Sequence, residues 1–294
     1  MQGEEQAAPQ GRPAAAEVVP DTYREAPGLA APEAGRGRRL HAARRATKVA
    51  VAGATGKVGR EIVQTILGTP GEFQLVGALA LEAGRDVGEV VGLPAAGATI
   101  DRTIEEVLRK RPDVLVDFTH PEAGARHLLA ALEAGVRPVF GTTSIPKETL
   151  QAAFNLAADK GIGGAVIPNF SIGALLLARL AREAARFFPS CEIIELHHDT
   201  KKDRPSGTAR RMAEDLHSRT GVDVPVHSVR LPGLVAHHEI IFGSSGELLT
   251  LRHDTISRAS FVPGVLMTVR AAMQLDHMVG SLEEVLEVLG QTRP

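Results

Sequence analysis

"VAVAGATGKVGREI", residues 49–62, places three glycines between a short run of small and β-branched residues and a stretch with apolar residues at helical spacing. The first part reads as a strand and the last as an amphipathic helix. Gly53, Gly56 and Gly59 allow a tight turn and a close approach of the backbone to a ligand. The N–H groups that open the helix can then hold a pyrophosphate, with the Lys57 cation beside it. In this strand–turn–helix context the G-x-x-G-x-x-G spacing predicts a dinucleotide site.

Working outward, the same alternation recurs. "FQLVGALA" (73–80), "DVLVDFT" (113–119), "RPVFGTT" (137–143) and "GGAVIPNF" (163–170) read as strands. "TIEEVLRKR" (103–111), "PEAGARHLLAALEAG" (121–135) and "KETLQAAFNLAADKG" (147–161) read as helices. Such alternation predicts an α/β fold with a parallel sheet covered on both faces, a Rossmann-type dinucleotide-binding domain. Ligands of such sheets lie at the carboxyl ends of the strands. "GTTS" (141–144) and "PNFS" (168–171) follow two of these strands, so they are candidates for the nicotinamide side, with Asn169 able to hydrogen-bond an amide. They also suit ordinary strand-to-helix turns. After the second strand Glu82 stands one or two positions later than a ribose-binding acid usually does, and Arg85 suits a 2'-phosphate, so spacing leaves NADH and NADPH both open.

Beyond Phe170 the pattern changes. "SIGALLLARLAREAARFF" (171–188) is one long amphipathic helix, followed by a strand, "CEIIELHH" (191–198), and a helix, "TARRMAEDLHSR" (208–219). Three closely spaced strand candidates follow at 224–233, 234–243 and 247–257. Short glycine-containing turns between them predict an antiparallel or mixed sheet, hence a second, α+β domain. The helices at 260–275 and 281–289 return to the first domain. The division expected is residues 47–170 with 265–294 for the dinucleotide, and 171–264 for substrate and oligomerisation. Residues 1–46, rich in Ala, Pro, Gly, Arg and Glu, are expected to form a disordered tail. This segment lacks a signal peptide's apolar centre and carries more acids than a transit peptide.

Composition narrows the function. The 294 residues carry 33 basic and 35 acidic side chains, a formal charge of -2, which gives no general reason to bind nucleic acid or a membrane surface. Affinity for anions must be local. No apolar run reaches the roughly 18 residues of a membrane span. A single cysteine, Cys191, excludes an internal disulfide and a thiolate metal cluster, and suits a reducing, cytoplasmic setting.

The local anion site is "ELHHDTKKDRPSGTA", residues 195–209. Ser206, Gly207 and Thr208 precede a helix, so their N–H groups welcome a carboxylate. Lys201 and Lys202 add charge, while His197 and His198 titrate near neutrality and can give a proton. Adjacent residues of a strand point to opposite faces, so one histidine can be structural. No spaced third ligand supports a metal, and a solvated loop is the alternative.

This stretch resembles the E-x-H-H-x-x-K-x-D-x-P-S-G-T-A signature of the 4-hydroxy-tetrahydrodipicolinate reductase (dihydrodipicolinate reductase) family. "AGATGKVGR", "VDFTHPEA", "GTTS", "PNFSIGA", "HSVRLPGLVAHHEIIFG" and "LRHDTISRASFVPGV" resemble its other segments, over roughly residues 48–290. The resemblance implies NADPH- or NADH-dependent reduction of a small cyclic imine dicarboxylate, with loss of water, in lysine and diaminopimelate synthesis. It implies His197 as proton donor, Lys201 as catalytic or substrate-orienting lysine, His198 as a substrate contact, and Gly207 with Thr208 as carboxylate holders. Gly53, Ala54, Thr55, Gly56, Lys57 and Val58 match the pyrophosphate turn. Gly141, Thr142 and Thr143, with Pro168, Asn169 and Phe170, match the cofactor and hinge region. Homotetramers joined through the second domain's sheet, and closure of the two domains over the ligands, are also implied. The chain differs from the family at Arg204, where a small residue is usual, at Ser144, where glycine is usual, and at Ala80, where an acid is frequent. It also has a shortened loop before Val224. A relative acting on another cyclic imine acid, and a non-enzymatic NAD(P)H-binding protein, are the alternatives.

Overall fold

The computed structural model describes residues 45–290, so the expected N-terminal tail lies outside the described residues except at its last two positions. β1 (Thr47–Ala52) runs through the glycine turn into α1 (Gly59–Gly68). The alternation continues as β2 (Phe73–Leu79), α2 (Val87–Val91), β3 (Ile100–Asp101), α3 (Ile104–Arg109), β4 (Val114–Asp117), α4 (Pro121–Glu133), β5 (Arg137–Phe140), α5 (Lys147–Lys160) and β6 (Gly164–Val166). Next come α6 (Ile172–Ala184), β7 (Ser190–His197), α7 (Gly207–Thr220), β8 (Val226–Arg230), β9 (Ala236–Ser244) and β10 (Glu247–Thr255). A 3-10 turn (Arg258–Phe261), α8 (Val262–Ala272), β11 (Met278–Val279) and α9 (Leu282–Val288) complete the described chain.

Seven strands form one parallel sheet in the order β11-β6-β5-β4-β1-β2-β3. Every residue of β4 and the last four of β1 are buried, because helices cover both faces, and an apolar cluster fills each side. The order turns back between β1 and β4. At that reversal the connections leave the sheet in opposite directions and open a crevice beyond the carboxyl ends of the strands. α8 packs on α1, β5 and β6, so the chain's return closes this layer.

The second sheet has the order β10-β9-β7-β8 and is mixed: β7 runs parallel to β8 and antiparallel to β9, which pairs antiparallel with β10. On β7, Cys191, Ile193, Glu195 and His197 are buried, and the residues between them are more exposed. That period of two turns one face toward Leu177 and Ala181 of α6 and Met212 and Leu216 of α7. It is therefore the pleat of β7 that carries two ionisable residues inward.

Three details differ from the sequence expectation. α6 stops at Ala184 rather than running to residue 188, because Pro189 biases its predecessor away from helix and the chain closes in a turn. The two-residue β3 and β11 were not expected, nor was α2, which is capped by the Asp86 carboxylate and ended by Gly92 at φ 87°. Among the described residues no helix is long and apolar enough to cross a membrane.

Candidate active site

The glycine turn lies at the crevice between β1 and β4. Gly53 has φ +76°, and a Cβ there would come within 2.8 Å of the Phe118 carbonyl oxygen on the loop after β4. A Cβ on Gly59 would meet the Gly53 carbonyl oxygen at 2.1 Å, so the turn folds onto the start of α1 only with glycine. No side chain caps α1, and although the Arg60 N–H already bonds the Gly56 carbonyl oxygen at 2.9 Å, the positive end of the helix faces the turn and suits an anion, as a bound pyrophosphate requires. Glu82 follows β2 late in sequence, yet its carboxylate accepts a hydrogen bond from the Thr55 hydroxyl at 2.9 Å, which returns an acid to this turn. The residues present therefore fit a dinucleotide.

Beneath the turn is a buried cluster that sequence reasoning missed. Asp117, wholly buried at the end of β4, accepts hydrogen bonds on Oδ1 from the Thr119 N–H (2.9 Å), the Thr119 hydroxyl (2.7 Å) and the Thr142 hydroxyl (2.6 Å). Its Oδ2 pairs with Nδ1 of buried His127 on α4 at 2.7 Å. A carboxylate closing an apolar run was the available signal. The cluster ties the loop after β4 to the loop after β5, and so holds Thr142 in place.

In the second sheet, β7 delivers His197 and Glu195 to the same face. His197 is buried with Nδ1 against the Glu195 carboxylate. Arg230, on the neighbouring strand β8, grips Glu195 with Nη1 at 2.9 Å and Nη2 at 2.6 Å, and the Ser206 N–H adds a bond of 3.2 Å. The same guanidinium donates to the carbonyls of Lys201 (3.3 Å) and Asp203 (2.6 Å), fixing the loop between β7 and α7. α7 opens behind Ser206, whose hydroxyl accepts the Ala209 N–H at 3.2 Å. Burial pushes the Glu195 carboxyl up, but its bonds to Arg230, Ser228 and His197 outweigh that and hold it below the ordinary value. For His197, burial outweighs the Glu195 partner and lowers the pKa.

Both sheets contribute to one cleft of about 530 Å³. The first layer supplies Thr142, Thr143 and Pro168, and the second supplies His197, Lys201, Gly207 and Thr208. Of the other expected residues, Asn169 lines two adjoining cavities of about 320 and 170 Å³, and its side-chain oxygen accepts the Ser171 N–H. Phe170 is a core residue against Phe118, and Gly141 admits the Phe118 ring, which a Cβ would strike at 2.2 Å. His198 turns the other way, to Thr200 at 2.7 Å, and does not line the cleft. Lys201 pairs with Asp203 at 2.7 Å. Ser144 lines the cleft at φ +62°, a left-handed conformation that costs a residue with a Cβ about 1–2 kcal/mol.

The smaller cavity brings together His197, His238 and His253, with the first two rings edge-on at 5.4 Å. Burial, with His197 nearby, depresses His238 from 6.5 to about 4, and burial lowers His253 as well. The unfolded chain therefore takes up protons between about pH 6.5 and 4 that the folded chain refuses. Stability is full above this window and falls as pH drops through it, by about 3 kcal/mol for His238 alone. Urea unfolding at pH 7.5 and pH 4.5 should show this loss, and His238→Asn should reduce it. An equal pH dependence in the variant would discount His238.

The comparisons agree with this geometry. Residues 47–170 match the family described as dihydrodipicolinate reductase, N-terminus, and residues 173–286 match dihydrodipicolinate reductase, C-terminus. A 4-hydroxy-tetrahydrodipicolinate reductase of Symbiobacterium thermophilum is 48% identical over 246 residues, covering 81% of this chain and 96% of that protein. Its counterpart in Moorella thermoacetica is 44% identical, covering 82% and 98%. The solved structure of a dipicolinate-bound dihydrodipicolinate reductase from Paenisporosarcina sp. TG-14 superposes with a TM-score of 0.72 at 37% identity, covering 82% of this chain and all of that one. With two sheets, a dinucleotide turn and a cleft shared between them, the chain belongs to the 4-hydroxy-tetrahydrodipicolinate reductases, NAD(P)H-dependent oxidoreductases of lysine and diaminopimelate biosynthesis.

Proposed function

We propose that residues 47–170 with 265–294 hold NAD(P)H, and that residues 171–264 present 4-hydroxy-tetrahydrodipicolinate to it, with His197 as proton donor and Lys201 as the orienting cation. The observation that carries this reading is the shared cleft, in which Thr142 and Thr143 face His197, Lys201 and the head of α7. NAD(P)H, when bound, supplies the hydride. Gly53, Ala54, Thr55, Gly56, Lys57 and Val58 hold its pyrophosphate, while Gly141, Thr142, Thr143, Pro168, Asn169 and Phe170 shape the nicotinamide side.

His197 donates Nδ1–H to Glu195, which fixes the ring and leaves Nε2 to carry the transferred proton. Burial keeps this imidazole neutral in the free protein. A bound dicarboxylate brings negative charge beside it and favours the imidazolium, so substrate binding raises the charged share of the acid. Lys201, leaving Asp203, meets one substrate carboxylate together with the Gly207 and Thr208 N–H groups. Closure of the cleft then excludes water and strengthens these charge interactions. The dipicolinate named in the solved relative supports a small dicarboxylate as ligand.

The same reading places the enzyme in the cytoplasm as a homotetramer. The outward face of the second sheet, which bears Ile194, Leu196 and the three-quarters exposed Leu248, would join the subunits.

The test follows the nicotinamide absorbance while a synthase generates the unstable substrate from pyruvate and aspartate semialdehyde. Oxidation that depends on the synthase is expected, and running NADH and NADPH separately ranks the two. Cofactor binding without oxidation would overturn the substrate assignment.

A further inference from the structure

The proposed substrate carries two carboxylates, but the assignments above give cations to only one of them. Among the basic residues that line the 530 Å³ cleft, Lys201 already has Asp203 at 2.7 Å. The other is Arg211, on the second turn of α7. Among the described residues it has no carboxylate within 4.0 Å and no side-chain hydrogen bond; the same holds for its neighbours Arg204 and Arg210, but neither of those lines the cleft. Arg211 is exposed, but it opens onto the cleft it lines. Nη1 folds back along the helix to 3.6 Å from the position a Cβ of Gly207 would take, beside the residues proposed to hold a carboxylate. Arg211 also lines the adjoining 320 Å³ cavity with Pro168 and Asn169, so it stands where the two layers meet.

We propose that Arg211 is a specificity-determining residue that pairs with the second substrate carboxylate and so selects dicarboxylates over monocarboxylates. This rests on the reading of the cleft given above. A planar guanidinium with two parallel N–H donors matches a carboxylate, and because it has no partner to give up among the described residues, its pairing breaks no ion pair there. Lys201 must first leave Asp203, so the two cations contribute differently: Arg211 to recognition in the open cleft, Lys201 to the closed one.

The experiment measures inhibition of the wild-type enzyme, Arg211→Gln and Arg210→Gln by pyridine-2,6-dicarboxylate and by pyridine-2-carboxylate. Arg210 is an exposed neighbour that does not line the cleft, so its variant makes the same change of net charge without touching the site. Arg211→Gln is expected to weaken the dicarboxylate by about 10- to 100-fold, and the monocarboxylate much less. The preference for two carboxylates then collapses. The substrate KM rises by a similar factor, while the KM for NAD(P)H is unchanged and Arg210→Gln behaves as wild type. Equal weakening of both inhibitors, a raised KM for NAD(P)H alone, or an Arg210→Gln effect of the same size would overturn the assignment. If the dicarboxylate fails to compete with substrate in the wild-type enzyme, the reading of the cleft falls and this inference with it.

Discussion

Lys201→Ala should lower kcat/KM by about 10²- to 10⁴-fold while leaving the unfolding midpoint and the affinity for NAD(P)H nearly unchanged. The two halves of this expectation have separate causes. Lys201 is 23% exposed and its partner Asp203 is 51% exposed, and an ion pair so open to water contributes roughly 0–1 kcal/mol to stability. Little of the fold depends on it. In the cleft the ammonium is a mobile point charge on a flexible stem, able to move from Asp203 to a carboxylate that arrives beside Gly207 and Thr208. Once water is excluded, that contact strengthens as charge redistributes in the transition state, so its loss falls on turnover. Steady-state kinetics with the coupled synthase, cofactor titration by nicotinamide fluorescence and a thermal melt check the three quantities. A rate near that of the wild type would remove Lys201 from the mechanism. A melt lowered by many degrees would make it a structural residue instead.

How far this was legible in the sequence depends on what kind of signal each residue leaves. The seven-stranded layer was largely readable because buried parallel strands are short apolar runs, and the helices between them carry a period near 3.6. β3 and β11 were not, since two residues have no period. The glycine turn declared itself because an L side chain at Gly59 would overlap the backbone at Gly53, a constraint local enough to be written in a few positions. The charged stretch before α7 was visible as composition; His197 and His198 do take different partners, but β7 ends at His197, so the strand period does not run through the pair. The partners of His197 were harder to see. Glu195 opens the quoted motif two residues before His197, on the same face, so the pleat alone could have found it. Arg230 could not be found that way, because only the register of β7 with β8, which pairs His197 with Arg230, brings it there. Likewise the Asp117–His127–Thr142 cluster joins a strand end, a helix and a loop whose meeting is a property of the packed fold.

The second large effect belongs to that hidden pair. Glu195→Gln should destabilise the protein by about 3–5 kcal/mol and abolish most activity, whereas a double change of Glu195→Met with Arg230→Met should recover much of the stability and none of the activity. The Glu195 side chain is fully buried and that of Arg230 is 2% exposed. Taking both charges out of water is expensive, and their mutual bonds offset the cost only while both are present. Neutralising Glu195 leaves a guanidinium buried without a counter-ion, which is why the single change should cost more than removing the pair. For a domain of this size each kcal/mol lowers the melting temperature by roughly 2–4 °C, so a drop of about 10 °C is expected for Glu195→Gln. Activity fails in both variants for a different reason. Arg230 holds the carbonyls of Lys201 and Asp203, and Glu195 holds Nδ1 of His197, so the pair sets the positions of both the proton donor and the orienting cation. Melting curves alongside the coupled assay separate the two effects. Equal stability of the single and double variants would show that the loss comes from packing rather than from stranded charge. An active double variant would show that His197 and the loop need no such anchor.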